Sequence, residues 1–154
     1  MREILFRGKQ KDNGEWVYGA YYHQTEFYGD DCDYHYIISS CDELEDNMMC
    51  FDGVIPETVG QYTGLTDKNG KKIFEGDVVK FTDSPFGYSY IGVVCFNEGS
   101  FCIKYEYWKK EKFHRIGQTD KWQDMGASGT VTYQYEILGN IHDNPELIES
   151  EDKK

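Results

Sequence analysis

Apolar and polar residues alternate with a period of two along much of the chain, and glycine-marked turns interrupt them at short intervals, as in antiparallel β proteins. In residues 2–7, Ile4 and Phe6 oppose Leu5 and Arg7. Asp12-Asn13-Gly14 turns the chain, and Trp16, Tyr18, Ala20 and Tyr22 then fall on one side of a returning strand, which predicts an N-terminal hairpin. Extended segments are predicted again over 50–55 and 59–62, divided by Pro56, and over 78–81, 88–96, 101–107 and 130–138. Asp67-Lys68-Asn69-Gly70 predicts a primed hairpin turn, because Asn and Gly both tolerate positive φ. Glu75-Gly76-Asp77 reads as a second tight turn. Gly92, inside the longest apolar run, predicts a bulge or bend where a sheet closes on itself. The pattern is weakest over 23–49 and 108–129. There, 34–38 reads as a short strand between acidic turns, 42–49 as one helical turn or a loop, and 108–129 as a polar insertion. An all-β barrel or curled sheet is the fold these segments predict.

Composition agrees, since aromatic residues make up 16% of the 154 and favour strands over helices. No apolar run approaches the roughly 18 residues a membrane helix needs. The chain opens directly on a strand-like pattern with no h-region of a signal peptide. A soluble cytoplasmic protein without membrane contact is expected, with Cys32, Cys41, Cys50, Cys95 and Cys102 reduced.

Charge changes the picture more. From Asp12 through Asp67 there is no Lys or Arg, while 13 of the 28 acids fall there; the remainder holds all 16 bases against 15 acids. The net charge of −12 therefore comes from one continuous third of the chain. Asp42, Glu43, Glu45 and Asp46 are the densest part, a candidate acidic interaction face. One reading is nucleic-acid mimicry that captures a host protein; the plainer reading is solubility.

Few residues suggest chemistry. Cys32, His35, Cys41 and Cys50 are the one Cys/His grouping, but their spacing lacks the paired short knuckles of structural zinc, and no metal or other cofactor is expected. Asp30, Asp31 and Asp33 lack the alternation and the later bidentate Glu of a calcium loop. Tyr105, Tyr107, Trp108, Lys109, Lys110 and Arg115 interleave rings with cations, as single-stranded nucleic-acid sites do, although Glu106 and Glu111 dilute the patch. His142-Asp143 reads as a hydrogen-bonded turn rather than an acid/base pair. No nucleophile elbow, P-loop or HExxH motif occurs.

Three blocks carry a family resemblance: REILFRGKQKDNGEWVYG at the start, VIPETVGQYTGLTDKNGKKIFEGDVVKF in the centre and EILGNIHDNPEL near the end. In that order they resemble the YopX-like proteins of phages and prophages. The resemblance implies an SH3-type β-barrel in the C-terminal part and supplies no catalytic residues. The expected organisation is an N-terminal hairpin and acidic variable region over 1–58, an SH3-like barrel over 59–147 and a disordered tail over 148–154. The expected role is a non-enzymatic phage accessory protein that binds another protein, of host or phage, or a second copy of itself. A single-stranded nucleic-acid-binding barrel is the alternative.

Overall fold

The computed structural model of the chain describes residues 1–41 and 48–149. It is all-β, as the alternation predicts, with two curled antiparallel sheets, one of them a half-barrel. The chain divides into two compact units between Tyr62 and Thr63.

The N-terminal unit contains β1 (Phe6–Lys9), β2 (Trp16–Phe27), β3 (Asp30–Ser40), β4 (Met49–Gly53), a 3-10 turn at Pro56–Thr58 and the start of β5 (Gly60–Thr66). The strands lie in the order β4-β3-β2-β1-β5, every neighbouring pair antiparallel. The hairpin of β2 and β3, with 12 and 11 residues, occupies much of the stretch where the pattern is weakest. Its alternation is masked because β3 buries only Ile37 and both faces carry aromatic and polar residues. Gly19 is required here: a Cβ would lie 2.1 Å from the Ile38 carbonyl oxygen, so only glycine lets β2 approach β3 this closely.

The C-terminal unit holds the rest of β5, then β6 (Lys72–Phe74), β7 (Asp77–Ser84), β8 (Ser89–Asn97), β9 (Ser100–Tyr107), β10 (Lys110–Arg115), β11 (Asp120–Asp124), β12 (Ala127–Asn140) and a short helix, α1 (Glu146–Glu149). Its main sheet runs β10-β9-β8-β7-β12-β11. Val79, Phe81, Val94, Phe101, Ile103 and Tyr135 meet in its core. The polar insertion expected over 108–129 is instead two strands, β10 and β11. They read as polar because His114 is the one buried side chain of β10 and Trp122 the one partly buried side chain of β11.

Two turn readings are corrected. Asn69 does not take positive φ; only Gly70 does, at 81°, so this turn is not primed. Asp67 organises it instead, accepting from the backbone N–H of Asn69 at 2.8 Å and of Lys71 at 2.9 Å. Of the bulge or bend read at Gly92, the bulge is absent, since Val79 pairs with it in unbroken register. A Cβ there would lie 2.4 Å from the Lys104 carbonyl oxygen, so close approach is what this glycine serves. The irregularity lies in β12, between Ile137 and Gly139.

Candidate functional site

Two surfaces carry more exposed aromatic area than the fold needs. The first is one face of the N-terminal sheet. Alternation puts Tyr18 and Tyr22 on one side of β2, and the register sets Tyr22 beside Tyr36 and Ile38 beside Phe51. Tyr22 is 45% exposed, Phe51 59% and Met49 67%, so this face is open where an ordinary sheet would be covered. Tyr36 and Phe51 meet edge to face at 6.4 Å. Between β1 and β2, the Arg7 guanidinium lies 4.6 Å from the Trp16 ring centre.

The second surface is one end of the C-terminal sheet, where the β7–β8, β9–β10 and β11–β12 connections come together because their strands run antiparallel in register. Phe86 and Tyr88 occupy the first connection, Trp108 the second and Met125 the third. Trp108 is 82% exposed and Met125 fully so. Trp108, Lys109 and Met125 have φ of 54°, 56° and 44°, a left-handed conformation that turns usually assign to Gly, Asn or Asp. Each such non-glycine costs about 1 kcal/mol or more. The ring of Phe86 meets Trp122 edge to face at 5.7 Å.

The six residues read as a nucleic-acid patch are divided by this geometry. Tyr107 stands opposite Lys110 and Tyr105 opposite Lys112 on one face of the β9–β10 ladder, while Arg115 pairs with Cys102 on the other face. Trp108 and Lys109 form the tip. Tyr105 leans inward, its ring 5.1 Å from Phe81. Asp42, Glu43, Glu45 and Asp46 lie outside the described residues.

The Cys/His grouping is not assembled. Cys41 and Cys50 form a disulfide with Cα atoms 5.6 Å apart, which corrects the expectation that all five thiols are reduced. β3 and β4 are adjacent and antiparallel, and so bring the two ends of their connection together. The Cys32 thiol donates to the Gln24 carbonyl. His35 lies instead beside His23, a neighbour the sequence reading missed. The signal was available: His23 and His35 fall opposite each other once β2 and β3 are paired.

Inside the half-barrel, His114 stacks on Phe81 at 4.6 Å and hydrogen-bonds the Tyr135 hydroxyl at 3.0 Å. Tyr133 donates to Asp120 at 2.5 Å, and burial, with that bond, raises its pKa. Burial likewise pushes the His114 imidazole down to about 4, so it is neutral at pH 7. The unfolded chain then binds the proton more readily than the folded one, and the stabilisation is complete above pH 6.5 and lost as pH falls toward 4. About 3 kcal/mol is expected over that window. Urea unfolding of wild type and of His114→Phe should diverge in pH dependence there; parallel curves would refute a neutral buried imidazole.

His142 and Asp143 lie in a turn that Asn140 ties together. The His142 backbone N–H donates to the Asn140 side-chain oxygen, and Asn140 donates to the Asp143 carboxylate at 2.9 Å. Among the described residues no helix is long and apolar enough to cross a membrane.

Two curled antiparallel sheets bearing open aromatic surfaces define a β-rich protein. The chain belongs to the YopX protein family, whose model matches residues 5–149, nearly its whole length. Membership places it among phage-type proteins. A comparison with curated proteins finds no match.

Proposed function

We propose that this protein is a non-enzymatic interaction module whose partner is a second copy of itself, joined head to tail. One observation carries the reading: large apolar side chains sit at left-handed hairpin tips, where Gly or Asn would stabilise the fold more. A protein that retains Trp108 and Met125 there retains them for contact. The two aromatic surfaces are also complementary in charge. Residues 104–115, which include the Trp108 tip, carry five bases and two acids, whereas residues 12–67, which include the exposed Tyr22, Met49 and Phe51 of the N-terminal face, carry no Lys or Arg. Like surfaces would repel, so tip meets face, and a heterologous contact of this kind builds rings or filaments.

Complementation tests it. Wild type should self-associate by light scattering at high concentration. Trp108→Ser with Met125→Ser should be monomeric, as should Tyr22→Ser with Phe51→Ser. Mixed, the two variants should form a one-to-one heterodimer, because one supplies an intact tip and the other an intact face. A strictly monomeric wild type, or a mixture that stays monomeric, overturns the reading.

The tyrosine–lysine pairs across β9 and β10 favour single-stranded nucleic acid as the second reading. Steeply salt-dependent oligonucleotide binding that is lost in Trp108→Ser would establish it.

A further inference from the structure

We propose that His23, His35 and Asp33 form a binding site for one divalent transition-metal ion, zinc in the first instance, on the hairpin of β2 and β3. The inference is independent of self-association. His23 and His35 occupy directly opposite ladder positions, and their rings stack at 4.2 Å and 11°. Asp33 precedes His35 by two residues on the same face. One oxygen, Oδ1, lies 2.7 Å from Nε2 of His23 and 3.0 Å from Nε2 of His35. The three donor atoms all fall within 4.8 Å of one another. Zinc binds imidazole nitrogen and carboxylate oxygen at about 2.0–2.2 Å in a tetrahedron, so the two Oδ1···Nε2 separations need to widen by roughly half an ångström and the stacked rings need to tilt toward a common point. Two imidazoles and a carboxylate suit a borderline ion of this class, and a fourth position remains for water because Asp33 is 75% exposed.

The surroundings support the site. The Tyr21 hydroxyl is 2.6 Å from Nδ1 of His35 and fixes the ring with Nε2 toward Asp33, the role that outer-shell partners play at metal centres. The His23 hydrogen bond first, and then His35, hold the Asp33 carboxyl below its ordinary range, so it is ionised and ready to ligate. No Lys or Arg occurs anywhere from residue 12 to 67, so the local field attracts a divalent cation. The proton balance is simple. Without metal, Tyr21 donates to Nδ1 of His35, and Nε2–H donates to Asp33. With metal on Nε2, that proton resides on Nδ1 and is donated to the Tyr21 oxygen, whose own hydrogen turns to water. His23 likewise binds through Nε2 and carries its proton on Nδ1. Starting from these tautomers, the ring protons only change nitrogen, so the step balances without a proton leaving the protein. An ion shared by two strands would also hold the hairpin in register.

Zinc chloride is titrated into the full chain with its disulfide intact and its free thiols alkylated, while the imidazole resonances are followed by NMR. One equivalent should saturate, moving His23 and His35 together and leaving His114 and His142 in place. His23→Gln and Asp33→Asn should each weaken binding at least about tenfold, and Tyr21→Phe about 10- to 100-fold. His23 is 39% exposed, so its replacement leaves the fold intact, and the wild-type spectra serve as a separate readout. Absence of saturable binding, affinity unchanged in His23→Gln, or binding abolished by thiol alkylation overturns the assignment.

Discussion

Replacing Phe81 with alanine is expected to lower the unfolding free energy of the C-terminal unit by about 3–5 kcal/mol. The ring is only 2% exposed and touches neighbours on every side: Tyr90 at 5.3 Å, Tyr105 at 5.1 Å, His114 at 4.6 Å and Tyr133 at 6.2 Å between centroids. Those neighbours come from β8, β9, β10 and β12, so truncation opens a cavity that no single strand can close by shifting. Tyrosines anchored elsewhere cannot follow it inward: Tyr133 is tied to Asp120 and Tyr135 to His114 and the Gly117 N–H. Phe81→Leu should retain most of the stability. Urea unfolding at constant m-value is the measurement, and a loss below about 1 kcal/mol would mean that the packing around this ring is loose.

Asp67→Ala is expected to cost about 3 kcal/mol, although it removes no apolar contact. Asp67 is 7% exposed, and its carboxylate accepts from three backbone N–H groups: Asn69 and Lys71 on Oδ1, and Ile137 on Oδ2 at 3.2 Å. Alanine would leave these donors without that acceptor, the most expensive way to lose a hydrogen bond. Burial alone would raise the carboxyl pKa, but the donors of Lys71, Ile137 and Asn69 outweigh it and hold it below its ordinary 3.8. The folded state therefore favours the anion. The stabilisation is complete above the unfolded value and is lost as pH falls through the folded one. The stability difference between wild type and Asp67→Ala should shrink in acid; a difference independent of pH would show that these bonds do not require the charge.

The legible part of this fold was the part with one buried face. β7 to β9 and β12 place Val79, Phe81, Val94, Ile103 and Tyr135 at alternate positions toward one core, and the period of two survives in the sequence. β10 and β11 have almost nothing to bury and were indistinguishable from a polar loop. β2 was legible through its alternation only as far as Tyr22, and β3 only over 34–38, for a different reason: the face carrying Tyr22, Tyr36 and Phe51 is as aromatic as a core, yet open. Turn chemistry misled where it was most relied upon. Asn69-Gly70 marked a real turn of another type, whereas Tyr28-Gly29, Trp108-Lys109 and Met125-Gly126, with both residues at positive φ, carried weak or no turn signal. The basic-aromatic hairpin could be read as a segment, but its division between two faces needed the register. The histidine pair was hidden because 12 residues separate its members, and only strand pairing brings them together.

Asp67 also bears on when the chain can fold. Its third donor is 70 residues away, and the Lys68 N–H next to it donates to the Tyr135 carbonyl on the same late strand. During synthesis the central turn must therefore wait, incomplete, until β12 has left the ribosome, with Val79 and Phe81 uncovered on one side in the interval. β12 acts as the keystone of the C-terminal unit, and a ribosome stalled before it would hold an aggregation-prone half-sheet rather than a smaller stable domain.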